Sequence, residues 1–261
     1  MAGFFYGRNY KVFYMRRYID SGKKRIGSII ALLSFELVTV LLLFFLSIIG
    51  FAYLVNRVIR LKETGFDTAV FSFIRPFISE AMTSFMVFIT FLGTHKFLIP
   101  ANLLLIAYFL FIKRHRWYSI KVPVVAIGSV SIMLGLKTLF SRVRPTDPLL
   151  AEVKGFSFPS GHAMSAMTFY GLLLYLVYRY IKHPVLKWGL IVLLSILIIL
   201  IGLSRVYLRV HYPSDVIAGF SMGVIWLVIA LWSTRRIEKM VKKDPGLNEP
   251  MTEPLSNPGK I

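Results

Sequence analysis

Three polar clusters between Lys137 and Asp215 hold the side chains with the clearest capacity for chemistry. They are Lys137-Thr-Leu-Phe-Ser-Arg142-Val-Arg144-Pro145, then Phe158-Pro159-Ser160-Gly161-His162, then Ser204-Arg205-Val-Tyr-Leu-Arg209-Val-His211-Tyr-Pro-Ser-Asp215. Together they supply several cations, two histidines and one carboxylate, each beside a long apolar run. That set suits attack on a phosphate ester at a membrane surface. A phosphoryl group carries negative charge on its non-bridging oxygens, and its transfer depends chiefly on positioning and electrostatic stabilisation. Lys137, Arg144 and Arg205 can surround those oxygens, arginine being suited to bidentate contact. Ser160 and Gly161 stand where a helix should begin, so free backbone N–H groups and the positive end of the helix dipole would face an anion there. Ser160 adds a hydroxyl, and Gly161 permits close backbone approach.

The two histidines can divide the reaction. His211 is assigned as the nucleophile that attacks phosphorus in line, and His162 as the acid that protonates the departing oxygen. Asp215 follows His211 by four residues, a spacing that fits one helical turn, although Pro213 favours a turn into a new helix. In either geometry the carboxylate can accept from the imidazole and fix its tautomer. No metal and no cofactor are expected, because the cations already supply positive charge.

The elements that position these residues are apolar helices. The chain has 261 residues, 56% hydrophobic and only 16% charged, where a soluble domain is about 25% charged. It has no cysteine, which excludes disulfides and thiolate metal sites. The formal charge of +19 would suit nucleic acid, but the cations flank apolar runs and no nucleic-acid-binding motif accompanies them. Residues 1–26 form a basic N-terminus, and the run from Ile26 to about Val55 is too long for a signal-peptide core but long enough to cross a bilayer. Residues 27–233 read as an all-α membrane domain with six transmembrane helices. The spans are the run ending near Val55, then about 97–112, 122–140, 162–181, 185–203 and 216–232. Residues 77–94 carry Glu80, Thr83, Ser84 and Thr90 and read as an amphipathic helix at the interface. Residues 234–261 are a basic, then Pro-rich tail, disordered past Lys243.

Six spans place both termini on the side of the loops around 113–121 and 179–187, which hold Lys113, Arg114, Arg116, Lys121, Arg179, Lys182 and Lys187. The positive-inside rule makes that side cytoplasmic, so all three polar clusters face the exoplasmic side of the cell membrane.

Lys137-x6-Arg144-Pro145, Pro159-Ser160-Gly161-His162 and Ser204-Arg205-x5-His211-x3-Asp215 resemble, in order, spacing and residue type, the three signature motifs of the type 2 phosphatidic acid phosphatase superfamily. The likeness extends to small bacterial membrane members of the phosphatidylglycerophosphatase B type. The resemblance implies a metal-independent phosphohistidine mechanism with the same residue roles. It also implies lipid phosphate or diphosphate substrates in the bilayer, undecaprenyl diphosphate and phosphatidylglycerophosphate being the competing candidates. The alternative is a transporter or channel with a phosphate site, which would use the cations but leaves His162, His211 and Asp215 unexplained.

Taken singly, each cluster has a plainer reading as an interfacial anchor, a helix cap or an exposed pair. Their conjunction weighs against it. Arg142 and Arg209 are expected to touch headgroups or the surface, His95, His115 and His183 to be structural or solvated, and Glu80 to remain wet.

Overall fold

The computed structural model describes residues 35–150 and 154–243. The basic N-terminus, the start of the first span and the Pro-rich tail lie outside the described residues. The chain divides into two units, Met1–Phe45 and Leu46–Ile261. The second holds all three clusters.

Among the described residues the regular structure is helical throughout. Helix α1 (Phe35–Leu54) continues through a π-helical turn to Arg60, and a short α2 (Gly65–Ile74) follows. Helices α3 (Glu80–Phe91) and α4 (His95–Ala107, extended by a π-turn to Ile112) are separated by a turn at Leu92–Thr94. Then come α5 (Arg116–Phe140), α6 (Gly161–Tyr180), α7 (Pro184–Tyr207) and α8 (Pro213–Lys243). Helix α8 thus runs through the basic residues expected in the tail before Lys243.

Among the described residues five stretches are long and apolar enough to cross a membrane: Leu37–Arg60, Glu80–Ile112, Arg116–Phe140, Pro184–Tyr207 and Pro213–Lys243. Helix α6, expected as a span, is not among them, and the reason lies in where it sits. Nine of its residues, including Met164, Thr168, Tyr170 and Leu172, are buried, so its faces meet other helices and need not be lipid-soluble. One core cluster packs Phe169 and Tyr170 of α6 against Ile89, Leu98, Ile198 and Ile201; another packs Leu172 and Leu176 against Phe109, Val122, Val125 and Ala230. The outward faces carry the opposite signature, with Leu104, Ile127, Leu139, Leu193 and Trp232 all exposed. Water would penalise such a surface and hydrocarbon would not.

Helix α6 also lies very close to α8. A Cβ added at Gly219 would stand 2.6 Å from the Ser160 carbonyl, and one at Gly223 2.7 Å from the Met167 Cβ. Glycines four residues apart let two backbones approach where any side chain would hold them off. This contact sets the start of α6 against the first turns of α8, which bring His162 and Asp215 to one end of the bundle.

Candidate active site

Each catalytic candidate is delivered by a helix end. Helix α5 supplies Lys137 in its last turn and stops at Ser141, whose φ of 46° is left-handed. Helix α6 opens at Gly161 behind its N-cap Ser160, with His162 next. Helix α7 carries Arg205 in its last turn. The turn after it holds His211, and α8 opens on Pro213 with Asp215 in its first turn. Proline suits that place because its missing N–H would have no helical partner there.

These ends converge on one cavity of about 550 Å³, lined at its polar end by Lys137, Arg144, Gly161, His162, Arg205 and His211. The rest of its wall is largely apolar, with Leu98, Ile99 and Leu103 from α4, Ala126, Val130 and Met133 from α5, and Phe169 and Leu172 from α6. Along α5 it reaches from Lys137 to Pro123, about 20 Å at the rise of an α-helix.

Within the polar end, Arg144 holds three groups. Its Nε donates to the Gly155 carbonyl at 2.9 Å, and its Nη1 donates to the Val210 carbonyl at 2.7 Å and stands 3.3 Å from His211 Nε2. Lys137 Nζ donates to the Phe156 carbonyl. Arg205 is buried, donates from Nη1 to Thr90 Oγ1 at 2.6 Å, and has no hydrogen-bond partner for Nε among the described residues. The same is true of His162 Nε2. Thr90, on α3, therefore aims an arginine that local sequence could not have linked to it.

His211 is buried beside Asp215, its Nδ1 lying 3.6 Å from Oδ2. Burial pulls its pKa down from 6.5 to about 4, with Asp215 opposing and Arg144 and Arg205 reinforcing the fall. The ring is neutral at neutral pH, the form in which a nitrogen lone pair is available. Burial likewise lowers the pKa of Arg144, and Asp215 opposes that shift.

Two placements differ from expectation. Ser160, expected to offer its hydroxyl to phosphate, is fully buried and its Oγ accepts from the Ala163 N–H as the α6 cap, while its own N–H donates to the Asp215 carbonyl. Arg142, expected at the surface, is turned inward: its side chain is 12% exposed and pairs with Asp215 at 2.6 Å and Asp67 at 2.8 Å. A charge flanked by two buried carboxylates gains more there than in water, where the pair would be screened. Sequence reasoning also missed Asp67 and Ser157. Their partners lie 75 and 58 residues away, so no local spacing announces them. His95, expected to be structural or solvated, lines the cavity. His183 accepts from the Leu186 N–H as the α7 cap, His115 packs edge-on to Tyr118, and Glu80 is exposed in the first turn of α3.

Comparison with known proteins agrees with this arrangement. Residues 118–239 match the PAP2 superfamily. The chain is 31% identical over 173 residues to phosphatidylglycerophosphatase B of Bacillus subtilis, covering 65% of this chain and 81% of that one. It is also 31% identical over 193 residues to an undecaprenyl-diphosphatase of Sulfolobus acidocaldarius, covering 69% of this chain and 87% of that one. Among solved structures it is similar to the transmembrane PAP2-type phosphatidylglycerolphosphate phosphatase of Bacillus subtilis, with a TM-score of 0.63 and 27% identity over 76% of this chain and 96% of that one. LpxE of Aquifex aeolicus aligns with a TM-score of 0.50 and 28% identity over 63% of this chain and 94% of that one. With histidines and cations gathered at one end of an apolar cavity, and relatives of this length and likeness, the chain belongs to the PAP2 superfamily and is a multi-pass membrane lipid phosphatase.

Proposed function

We propose that the protein removes the terminal phosphate from a lipid phosphate or diphosphate through a phosphohistidine intermediate, without a metal or other cofactor. The observation that carries this reading is a single cavity with His162, His211 and three cations at one end and an apolar wall along the rest. The phosphate would lie among Lys137, Arg144 and Arg205, at the α6 N-terminus where Gly161 lines the cavity. Its arrival would offer Lys137 and Arg144 an anion in place of backbone carbonyls. Those bonds are already charge-assisted on the donor side, and an anionic acceptor adds the Coulomb attraction of an ion pair.

Neutral His211 attacks phosphorus through Nε2, and His162 gives a proton to the departing oxygen. The bond to the leaving oxygen breaks as the P–N bond forms. His162, now a base, then takes a proton from the water that hydrolyses the P–N bond. Asp215 holds His211 throughout, and Ser160 supports the site as a helix cap. The lipid chain occupies the apolar part of the cavity.

The same reading gives six membrane crossings, α1, α4, α5, α6, α7 and α8, with α3 at the interface. Its support is the turn at Leu92–Thr94, which parts α3 from α4, and the polar side chains that α3 carries: Glu80 is exposed, Thr83 Oγ1 lies 3.2 Å from the Tyr207 hydroxyl, and Thr90 Oγ1 accepts from Arg205. The end of the bundle away from the cavity carries Lys113, Arg114, Arg116, Arg179, Lys182, Arg235, Arg236 and Lys239. There Lys121 of α5 pairs with Glu238 of α8 at 2.7 Å. The positive-inside rule assigns that end to the cytoplasm with both termini, and the active site to the exoplasmic face.

The test is phosphate release by the purified protein in detergent with EDTA, offered undecaprenyl diphosphate and phosphatidylglycerophosphate in parallel. Release that persists in EDTA and vanishes in His211→Ala is expected, and the preferred lipid names the physiological role. Activity lost in EDTA and restored by Mg²⁺ would contradict the metal-free mechanism.

A further inference from the structure

Helix α2 lies outside all three motifs, yet one of its side chains reaches the catalytic centre. Asp67 is 2% exposed. Its Oδ1 accepts the Ser214 backbone N–H at 2.9 Å, and its Oδ2 accepts from Ser214 Oγ and Arg142 Nη2, each at 2.8 Å. Ser214 is in the first turn of α8, where N–H groups have no partner within the helix. A carboxylate from another helix fills that role and fixes the turn bearing Asp215.

Arg142 then continues the chain of contacts. Its Nη1 donates to Asp215 Oδ1 at 2.6 Å and to Ser214 Oγ at 2.8 Å, and its guanidinium lies 3.9 Å from the centre of the Tyr212 ring. Asp215 Oδ2 accepts the Tyr212 N–H at 2.9 Å and the Ser157 hydroxyl at 2.5 Å. The Asp215 carboxylate is thus held by three donors, and the nearer neighbour of His211 Nδ1 is Ser157 Oγ, at 3.3 Å. Since Ser157 spends its proton on Asp215, only its lone pairs are left to face the ring. His211 must then carry its proton on Nδ1, which leaves the lone pair on Nε2, the nitrogen that faces Arg144 in the cavity.

We propose that Asp67, Arg142 and Ser157 are positioning residues for the reaction, forming a buried network from α2 to the His211 ring that sets its tautomer and tunes the charge of Asp215. The proposal rests on the assignment of His211 as nucleophile. Arg142 shares its one positive charge between two carboxylates. Without Asp67 that charge would fall wholly on Asp215 and weaken its pull on a histidine that becomes cationic as it takes up phosphorus. Without Arg142 the pull would strengthen. The other ionisable groups facing His211 are Arg144 from the 141–160 segment, Arg205 from α7 and His162 from α6. All three are unchanged in the variants below.

The experiment measures kcat, KM and the pH profile for full-length wild type, Asp67→Asn, Arg142→Gln and Ser157→Ala, with His211→Ala alongside. Asp67→Asn keeps the shape and an acceptor for Ser214, and Ser157→Ala removes a single hydroxyl outside the ion pairs. Expected is a fall in kcat of roughly 10- to 100-fold in Asp67→Asn and Ser157→Ala with KM changed less than about threefold. The acid limb should move to lower pH in Asp67→Asn and to higher pH in Arg142→Gln. Merely weakened folding would not shift the two in opposite directions. Wild-type kcat in both Asp67→Asn and Ser157→Ala would overturn the proposal, as would losses confined to KM or pH profiles that coincide. Should Asp67→Asn fail to fold, kcat in Ser157→Ala decides. Turnover in His211→Ala would mark a failure of the nucleophile assignment itself, read separately from the network.

Discussion

The backbone carbonyl of Arg205 accepts the N–H groups of both Val210, at 3.2 Å, and His211, at 3.3 Å. One residue therefore brings a guanidinium to the cavity and anchors the backbone of the assigned nucleophile. The turn between them closes because Arg209 takes a φ of 54°, in the left-handed region that ends many helices.

Arg209 is the residue at which this turn can be tested. Glycine adopts its backbone angle without strain, whereas a β-branched residue does so only at a cost. Arg209→Gly is expected to keep activity within a few fold and stability within about 1 kcal/mol. Arg209→Val should lose on the order of 1–3 kcal/mol and most activity. Thermal unfolding in detergent and phosphate release read the two effects.

The close contact of α6 with α8 gives a second expectation. Gly219→Val would drive a side chain into the Ser160 carbonyl, 2.6 Å from an added Cβ. Backbone cannot yield as a flexible side chain can, so a loss of about 1–3 kcal/mol is expected. Activity should fall further than stability, because the displaced backbone is the cap of the helix carrying His162. Gly189, where an added Cβ meets nothing within 4 Å, is the control.

The pH response follows from burial of His211. Its folded pKa is about 4, below the ordinary 6.5. Above pH 6.5 both folded and unfolded chains hold it neutral. As pH falls from 6.5 towards 4 only the unfolded chain takes the proton, so stability drops through that window. His211→Asn should lose less stability than wild type between pH 7 and 4.5. The acid limb of activity due to His211 should lie near pH 4, and a limb near 6.5 would show a solvated nucleophile.

The apolar part of the cavity can be filled without touching the polar end. Ala126→Trp, on the α5 wall of the cavity eleven residues before Lys137, should raise KM or lower kcat/KM at least tenfold for a long-chain lipid phosphate. Hydrolysis of a short, water-soluble phosphate ester should change little. Equal losses on both substrates would mean that the chain lies elsewhere.

Much of this arrangement was legible in sequence, and the boundary is physical. Long apolar runs have no stable place in water, so α1, α5, α7 and α8 announce themselves. The motif residues are recognisable because charge and imidazole are costly beside hydrocarbon. Helix α6 is less apolar because its neighbours, not lipid, surround it. Arg142 looked like a spare cation between two motif cations, since its partners Asp67 and Asp215 come from other helices. Ser157 and Thr90 are single hydroxyls whose importance is set by tertiary contacts alone. The groove is likewise invisible in sequence, because apolar residues facing a cavity and those facing lipid are of the same types.

Rapid quenching with a radiolabelled lipid phosphate shows whether His211 carries the phosphoryl group. Wild type should yield labelled protein whose bond survives alkali and breaks in acid, as a phosphohistidine does, and His211→Ala should yield none while remaining folded. Label on His211→Ala, or turnover by it, would contradict the assignment.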